Sequence, residues 1–274
     1  MNIITPKETI AELTRLYTAE RFADGRPHVP DAILKRLENA TTEQAWGVLR
    51  SHGYNFQFEG KWFQTHPDKI LVGRCVTAMM LPYRPDFHDL VQQTGVSEGR
   101  IGGQNSWVID TLVEGDVLVV DLFGKIKNGT FVGDNLSTAI QSRTKRGAVL
   151  DCGVRDFQGI RELTDSAFFC RGVDPTAIAD VTLAGINLPI RIGEVTVLPG
   201  DIVLGTPTGV IFIPAHLAQE VADTAEDVHS RDIFGKYTLS IGKYTPGEID
   251  VPVWQPHIEA EYQEWLQGQG NTSS

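Results

Sequence analysis

A strand, a helix and a second strand follow one another between residues 117 and 151, and this order is the strongest clue to the fold. The apolar run at 117–121 predicts a strand. Apolar residues at helical spacing predict a helix over 134–146, and residues 148–151 form the next apolar strand. Strands joined through a helix lie parallel in one sheet. The sequence therefore predicts an α/β domain.

Helical patterns flank this central region on both sides. Roughly the first 50 residues have apolar positions at helical spacing, and Thr41 with Gln44 has the spacing of a capping box. An amphipathic helix is predicted from about His216 to Asp227. We therefore expect three parts, which are an N-terminal helical extension over residues 1–39, a central α/β domain over residues 40–229 and a C-terminal arm over residues 230–274.

Charge and composition exclude several classes of partner. The chain has 35 acidic and 24 basic residues and a net charge of −11, which opposes binding to nucleic acid and to anionic membranes. It has no apolar run long enough for a membrane span and no basic, apolar leader at its N-terminus. Cys75, Cys152 and Cys170 are odd in number and widely spaced, which indicates buried reduced thiols. We expect a cytoplasmic protein with neither a nucleic-acid nor a membrane partner.

Several local motifs have simpler readings than a catalytic one. The Gly-x-Ser-x-Gly match at residues 95–99 lacks the preceding strand of a nucleophile elbow, so we interpret it as a loop. Cys152 has no histidine nearby in sequence and is predicted to be a packing residue. His88 is predicted to lie in an irregular surface segment. Asp116 and Asp201 each follow a glycine and are predicted to be turn residues.

Asp134 and the dipeptide Arg155-Asp156 form the pattern that carries chemistry. Asp134 opens the predicted helix, and 20 residues separate it from Arg155, which follows the next strand. Ligands of open α/β sheets gather where strands end, so these side chains are expected in neighbouring loops. Two adjacent carboxylates favour a hard cation such as Mg²⁺, and an arginine recognises a substrate carboxylate. From spacing alone, a helix cap and a surface ion pair explain the same residues equally well.

The segment 133–156 begins with Gly-Asp-Asn-Leu and ends with Gly-Val-Arg-Asp. It resembles the D-x20-R-D signature of RraA-like proteins, a family that includes the 4-hydroxy-4-methyl-2-oxoglutarate and 4-carboxy-4-hydroxy-2-oxoadipate aldolases. Residues 114–121 before it and residues 198–203 after it agree with the same family. The resemblance extends over roughly residues 40–228 and implies a swivelling β/β/α domain with layered sheets and flanking helices.

The resemblance also implies a role for each residue of the signature. Asp156 would ligate Mg²⁺ or Mn²⁺, and Arg155 would bind the pyruvate moiety and stabilise its enolate. Asp134 would orient a metal-bound water, while the backbone N–H groups of Asn135 and Leu136 would receive the pyruvate carboxylate. A homotrimer or homohexamer is implied, with an acidic residue donated by the neighbouring subunit.

Three departures from the family pattern concern residues near the signature. Gly159 stands where the family often has an acidic residue, Cys152 replaces an aspartate, and residues 205–210 read Gly-Thr-Pro-Thr-Gly-Val instead of Gly-Asp-x-x-Gly-Val.

The sequence predicts a class II, divalent-metal-dependent carbon–carbon lyase that cleaves or decarboxylates a small 2-oxo acid and releases pyruvate. Two alternatives stay open, a hydratase or dehydratase acting on a sugar-derived acid at the same site and a non-enzymatic regulator that binds an endoribonuclease.

Overall fold

The computed structural model describes residues 1–270 of the chain. Its helices, with one 3-10 turn at Ala215–Leu217, are α1 Lys7–Leu13, α2 Asp31–Leu37, α3 Thr42–Ser51, α4 Pro85–Ser97, α5 Gln104–Ile109, α6 Asp134–Thr144, α7 Phe157–Arg161, α8 Ala218–Ser240, α9 Pro246–Ile249 and α10 Pro256–Gly270. Its strands are β1 Phe58–Glu59, β2 Phe63–Gln64, β3 Leu71–Pro82, β4 Asp116–Val132, β5 Gly147–Val154, β6 Ala167–Val173, β7 Val181–Ile186, β8 Ile190–Ile192, β9 Val195–Val197, β10 Ile202–Thr206 and β11 Gly209–Ile213.

A mixed sheet of nine strands organises the molecule. The strands lie in the order β1-β11-β10-β3-β4-β5-β6-β2, and β7 pairs with the end of β3. The four central strands, β3 to β6, are parallel, and the strands beside them on either side are antiparallel. The α/β prediction is confirmed. The carboxyl ends of β4, β5 and β6 meet at one edge of the sheet, where the signature residues follow.

Alternate side chains of β3 show how the two faces of the sheet are covered. Val72 and Val76 point into apolar clusters beneath the helices, with α2, α3 and α8 over the β10–β11 side and α4 to α7 over the parallel strands. Leu71 and Cys75 point to the opposite face, which the β8–β9 hairpin covers. The period of two in a buried strand therefore produces a layered arrangement with helices on one side.

Several local predictions agree with the structure and several are wrong. The capping box is confirmed, because the Thr41 hydroxyl accepts from Gln44 N and the Gln44 side chain accepts from Thr41 N. His88 lies in helix α4 instead of an irregular segment. Strand β4 continues well past residue 121, and α8 extends beyond the predicted helix end at about Asp227, to Ser240.

Long-range ion pairs hold the N-terminal extension to the sheet. Arg26 Nη1 lies 2.8 Å from Asp116 Oδ1, and these side chains are only 2% and 0% exposed. Arg74 on β3 donates to Asp31 Oδ1 at 2.8 Å.

Near the C-terminal end of the described residues, Trp254 packs with aromatic residues of α8 and α10 in a separate cluster. Throughout residues 1–270, every helix is too short or too polar to cross a membrane.

Candidate active site

The signature residues follow two neighbouring parallel strands. Val132, the last residue of β4, lies beside Val154, the last residue of β5. The backbone N–H of Arg155 donates to the carbonyl oxygen of Val132 at 3.0 Å, so the two strand ends are tied together. Asp134 begins α6 directly after one strand, and Arg155-Asp156 follows the other. The structure therefore places these three residues on two adjoining loops, as the spacing predicts.

Two glycines allow the two loops to interlock. A Cβ atom built on Gly133 would lie only 2.3 Å from Asp156 Oδ2 and 3.1 Å from Arg155 Nε. A Cβ atom on Gly159 would lie 2.9 Å from the Cβ of Asp134 and 3.0 Å from its Oδ2. Each aspartate thus rests against the backbone of the opposite loop. Any side chain at either glycine would displace a carboxylate.

The backbone of Asp156 is held in an uncommon conformation. Its φ of 52° and ψ of 42° are left-handed, a region that costs a non-glycine residue about 1 kcal/mol or more. Arg155 Nε and Asp156 Oδ2 are 3.6 Å apart, and both side chains are 45% exposed. This loose ion pair leaves guanidinium donors and a carboxylate oxygen facing solvent at the sheet edge. Strained, exposed residues of this kind are concentrated at functional sites.

The N-terminus of α6 is partly engaged by its own aspartate. Asp134 Oδ1 accepts a hydrogen bond from Asn135 N at 2.7 Å. The N–H of Leu136 has no acceptor within residues 1–270. Helix N-termini favour anions, so Leu136 N–H remains available to a substrate carboxylate. Asn135 N–H would have to leave Asp134 to join it, a competition that the sequence does not reveal.

The donor set fits a hydrated magnesium ion. The described part of the chain contains no group of three or more His, Cys, Asp or Glu side chains able to hold a metal ion. Asp134 and Asp156 offer carboxylate oxygens only. Mg²⁺ commonly binds through one or two carboxylates and keeps several waters, whereas zinc sites use three or four protein ligands. The residues present therefore suit Mg²⁺ or Mn²⁺ better than zinc.

Other candidate residues lie elsewhere or have structural roles. Cys152 is fully buried, and burial raises the pKa of its thiol well above the ordinary value, so its predicted packing role agrees with the structure. His88 Nδ1 lies 3.0 Å from Thr182 Oγ1, and His88 lines a separate cavity of about 360 Å³. The reading of His88 as a surface-loop residue is wrong.

Asp174 is a carboxylate at the same edge that the sequence analysis missed. It follows β6, and its backbone N–H donates to the carbonyl oxygen of Val154 at 3.1 Å. Hydrogen bonds from the hydroxyl and backbone N–H of Thr176 lower the pKa of this half-buried carboxyl. Its position after a third parallel strand was the available signal. Because Thr176 already occupies Asp174 Oδ1, it is less free to bind a ligand than Asp156.

Comparison with known proteins assigns the family. The profile of the RraA-like family, described as Aldolase/RraA, matches residues 29–212. The chain belongs to the RraA-like family. A provisionally named 4-hydroxy-4-methyl-2-oxoglutarate aldolase from Halalkalibacterium halodurans is 30% identical over 133 residues, which are 47% of this chain and 62% of that protein. The chain thus spans less than two thirds of this relative.

Two solved structures have the same fold as this chain. Streptomyces coelicolor RraAS2, described as an unusual member of the RNase ES inhibitor RraA family, superposes with a TM-score of 0.64 and 24% identity, covering 77% of this chain and 98% of that one. An uncharacterised protein from Pseudomonas syringae gives 0.65 and 20%, covering 82% and 100%. The layered α/β architecture with flanking helices that the resemblance implied is confirmed.

Proposed function

We propose that this protein is a divalent-metal-dependent lyase that cleaves or decarboxylates a small 2-oxo acid and releases pyruvate. The family contains both aldolases and RraA regulators, so membership alone does not decide between them. The observation that supports catalysis is the interlocking of Asp134 with the Arg155-Asp156 loop through Gly133 and Gly159. A purely binding surface has no need to hold two carboxylates and a guanidinium in this tight arrangement.

Arg155 is suited to bind the 2-oxo acid. Its backbone is fixed by the bond to Val132, while its loose pairing with Asp156 leaves guanidinium N–H groups available. A guanidinium recognises a carboxylate or an enolate oxygen through two parallel hydrogen bonds. Arg155 would therefore orient the substrate and stabilise the charge that moves onto the three-carbon fragment as the carbon–carbon bond breaks.

Asp156 would hold the dication, with Asp134 beside it. When bound, Mg²⁺ or Mn²⁺ supplies positive charge that offsets the negative charge developing on the 2-oxo oxygen. Asp134 would orient the water that accepts the proton of the substrate C4 hydroxyl and later returns a proton to the fragment. The N–H of Leu136, and that of Asn135 once released from Asp134, would receive the substrate carboxylate.

Exposed apolar side chains near this edge support an oligomer. Phe123, Ile126 and Val173 are 40%, 37% and 43% exposed. Ile126 lies over Gly153 and Gly172, because a Cβ atom built on either glycine would contact Ile126. Proteins of this family are typically trimers or hexamers. We propose the same for this chain, with a neighbouring subunit covering the apolar residues and supplying an acidic group. Light scattering after gel filtration would measure the subunit number.

Pyruvate release from 4-hydroxy-4-methyl-2-oxoglutarate in the presence of Mg²⁺ tests the proposal directly. Arg155→Ala and Asp156→Ala should each lower kcat/KM by about 100-fold or more. Arg84→Ala is the matched control, since Arg84 forms an exposed ion pair with Asp86 outside the site. Wild-type rates in both site variants would refute the assignment.

A dehydration reaction at the same site is the second candidate. Gly159 in place of the usual acidic residue is the observation that favours it, because the groups around Asp134 differ from those of the aldolases. Incubation with sugar-derived acids, followed by mass spectrometry, would detect loss of water without cleavage. If no acid is turned over and the protein instead captures an endoribonuclease, the regulator alternative is correct.

A further inference from the structure

Asp116 and Asp201 occupy equivalent positions in two glycine–aspartate turns of the same sheet. Asp116 Oδ2 accepts from Val113 N at 2.9 Å, and Asp201 Oδ2 accepts from Leu198 N at 2.8 Å. Each aspartate side chain therefore accepts a hydrogen bond from the backbone N–H three residues earlier in its turn, which agrees with the turn roles expected from the sequence. The two aspartates differ in what their second oxygen contacts.

Only Asp116 has a cationic partner among the described residues. Arg26 donates to both of its oxygens, at 2.8 and 3.3 Å. Asp201 is 4% exposed, yet its Oδ1 accepts no hydrogen bond from the described part of the chain. Burial raises the pKa of the Asp201 carboxyl to about 7, opposed only by the hydrogen bond from Leu198. Within residues 1–270, Asp201 is thus a buried acid without a counter-ion.

A cavity of about 270 Å³ lies beside Asp201. Asp201 is one of its lining residues, and the cavity lies between the N-terminal extension, the loop before β1 and the residues after β11. Its apolar walls include Leu13, Leu16, Leu198 and Pro214. Ligand cavities begin at about this size, and a smaller apolar cavity of ~150 Å³ already accepts benzene.

The other polar groups of the cavity are engaged or uncharged. Tyr17 Oη donates to the carbonyl oxygen of His28, and Gln57 Nε2 donates to that of Phe212. Tyr54 Oη and His216 Nε2 lie 3.4 Å apart. Burial, assisted by the nearby His52, lowers the pKa of the His216 imidazole, so it is neutral near pH 7.

Arg21 contacts residues of the cavity wall but does not pair with Asp201. Its guanidinium donates to the hydroxyl and carbonyl oxygens of Thr14 and to the carbonyl oxygens of Tyr17 and Gly25. These bonds hold the N-terminal extension in its bent path. Among the described residues, the positive charge that Arg26 provides for Asp116 therefore has no equivalent at Asp201.

We propose that this cavity binds a small organic cation, with an ammonium group paired to Asp201 and an apolar body of about one ring. An ammonium group would act as the counter-ion of Asp201 and donate a hydrogen bond to Oδ1. Charge-assisted hydrogen bonds of this kind are stronger than those between neutral groups. The apolar walls would cover the rest of the ligand. The site lies between the Pro-Gly-Asp turn at residues 199–201 and the N-terminal extension, away from the sheet edge that carries Asp134 and Arg155.

Benzylamine and its neutral analogue benzyl alcohol are suitable probes for the full-length protein at pH 7.5. Calorimetry should show that benzylamine binds at least about tenfold more tightly than benzyl alcohol. In two-dimensional NMR spectra, benzylamine should shift the amide signals of Leu198 and Ala215. Asp201→Asn keeps an acceptor for Leu198 N but removes the charge, and it should lower benzylamine affinity by roughly tenfold or more.

Two further variants keep the test decisive. Asp68→Asn removes an exposed carboxylate that does not line the cavity, and benzylamine binding should be unchanged. Ala215→Leu fills the cavity and should abolish binding, so this variant decides the matter if Asp201→Asn does not fold. Equal affinity for the two probes, unchanged binding in Asp201→Asn, or no binding to the wild-type protein would each overturn the proposal.

Discussion

The Asp156 carboxylate lies directly against the backbone of Gly133, on the neighbouring loop. A Cβ atom at Gly133 would come within 2.3 Å of Asp156 Oδ2, which is closer than non-bonded atoms approach. The φ of Gly133 is −109°, so an L-residue could adopt its backbone conformation. The glycine is therefore required by this contact and not by its own dihedral angles.

Gly133→Ala should reduce catalysis more than it reduces stability. The new methyl group would push Asp156 and Arg155 out of position, and small displacements of catalytic groups lower rates by about 100-fold. Steady-state assay of pyruvate release, with Mg²⁺ titrated, would measure both kcat and the metal requirement.

Gly47→Ala is the control for this substitution. Gly47 lies in α3, and a Cβ atom there would meet no other atom within 4 Å. It should leave kcat unchanged and raise stability by about 0.5–1 kcal/mol. Equal activity of Gly133→Ala and Gly47→Ala would contradict a positioning role for Gly133.

Gly159→Glu should impair the enzyme even though it restores an acidic residue typical of the family. Its Cβ would lie 2.9 Å from that of Asp134, so Asp134 would have to move. We expect kcat/KM for pyruvate release to fall by about tenfold or more. Gly159→Ala should have a smaller effect of the same sign. A gain in activity would show that this site accommodates the family's usual acid.

Arg26→Ala should strongly destabilise the fold. It leaves Asp116 buried without its partner, and loss of one member of a buried pair typically costs about 3–5 kcal/mol. Urea denaturation followed by circular dichroism would measure the free energy of unfolding. Arg84→Ala, which breaks an exposed pair, should change it by less than about 1 kcal/mol. Comparable losses in the two variants would refute a special role for the Arg26 pair.

The contribution of Asp201 to the free energy of unfolding should fall as pH rises from about 4 to about 7. Burial raises the pKa of its carboxyl from 3.8 to about 7, so between these values the folded protein binds a proton that the unfolded chain has lost. The contribution should amount to a few kcal/mol, of the order of 4. Burial also raises the pKa of the adjacent Cys75 thiol, which therefore does not titrate in this window.

Asp201→Asn should remove this pH dependence. Unfolding free energies of the wild-type protein and the variant would be compared at pH 5 and pH 7.5, with the variant gaining relative stability at the higher pH. An identical pH profile in both proteins would show that the pKa of the Asp201 carboxyl is not raised in the folded state.

Much of the site was predictable because its components lie close together in the sequence. One helix and one strand separate Asp134 from Arg155, and a helix returning to a parallel sheet places such residues at adjacent strand ends. The capping box at Thr41 and the buried thiols were predictable for the same reason, since both depend on local sequence alone.

The missed elements depend on contacts with distant parts of the chain. The segment after residue 121 contains glycine, lysine and asparagine and resembles a turn, yet β4 continues to Val132. Phe123 and Asn128 in this segment have positive φ. The backbone N–H of Asn128 donates a hydrogen bond to the hydroxyl oxygen of Thr176. Only the folded loop after β6 supplies this partner.

The sequence alone determined the alternation of strands and helices, the α/β class and the meeting of Asp134 with Arg155-Asp156, because hydrophobic periodicity and short connections are local properties. The tertiary structure decided which backbone each carboxylate rests on, and that Arg26 neutralises Asp116 from 90 residues away while Asp201 has no such partner. Pairing of this kind depends on which chain segments pack together in space, and no local pattern records it.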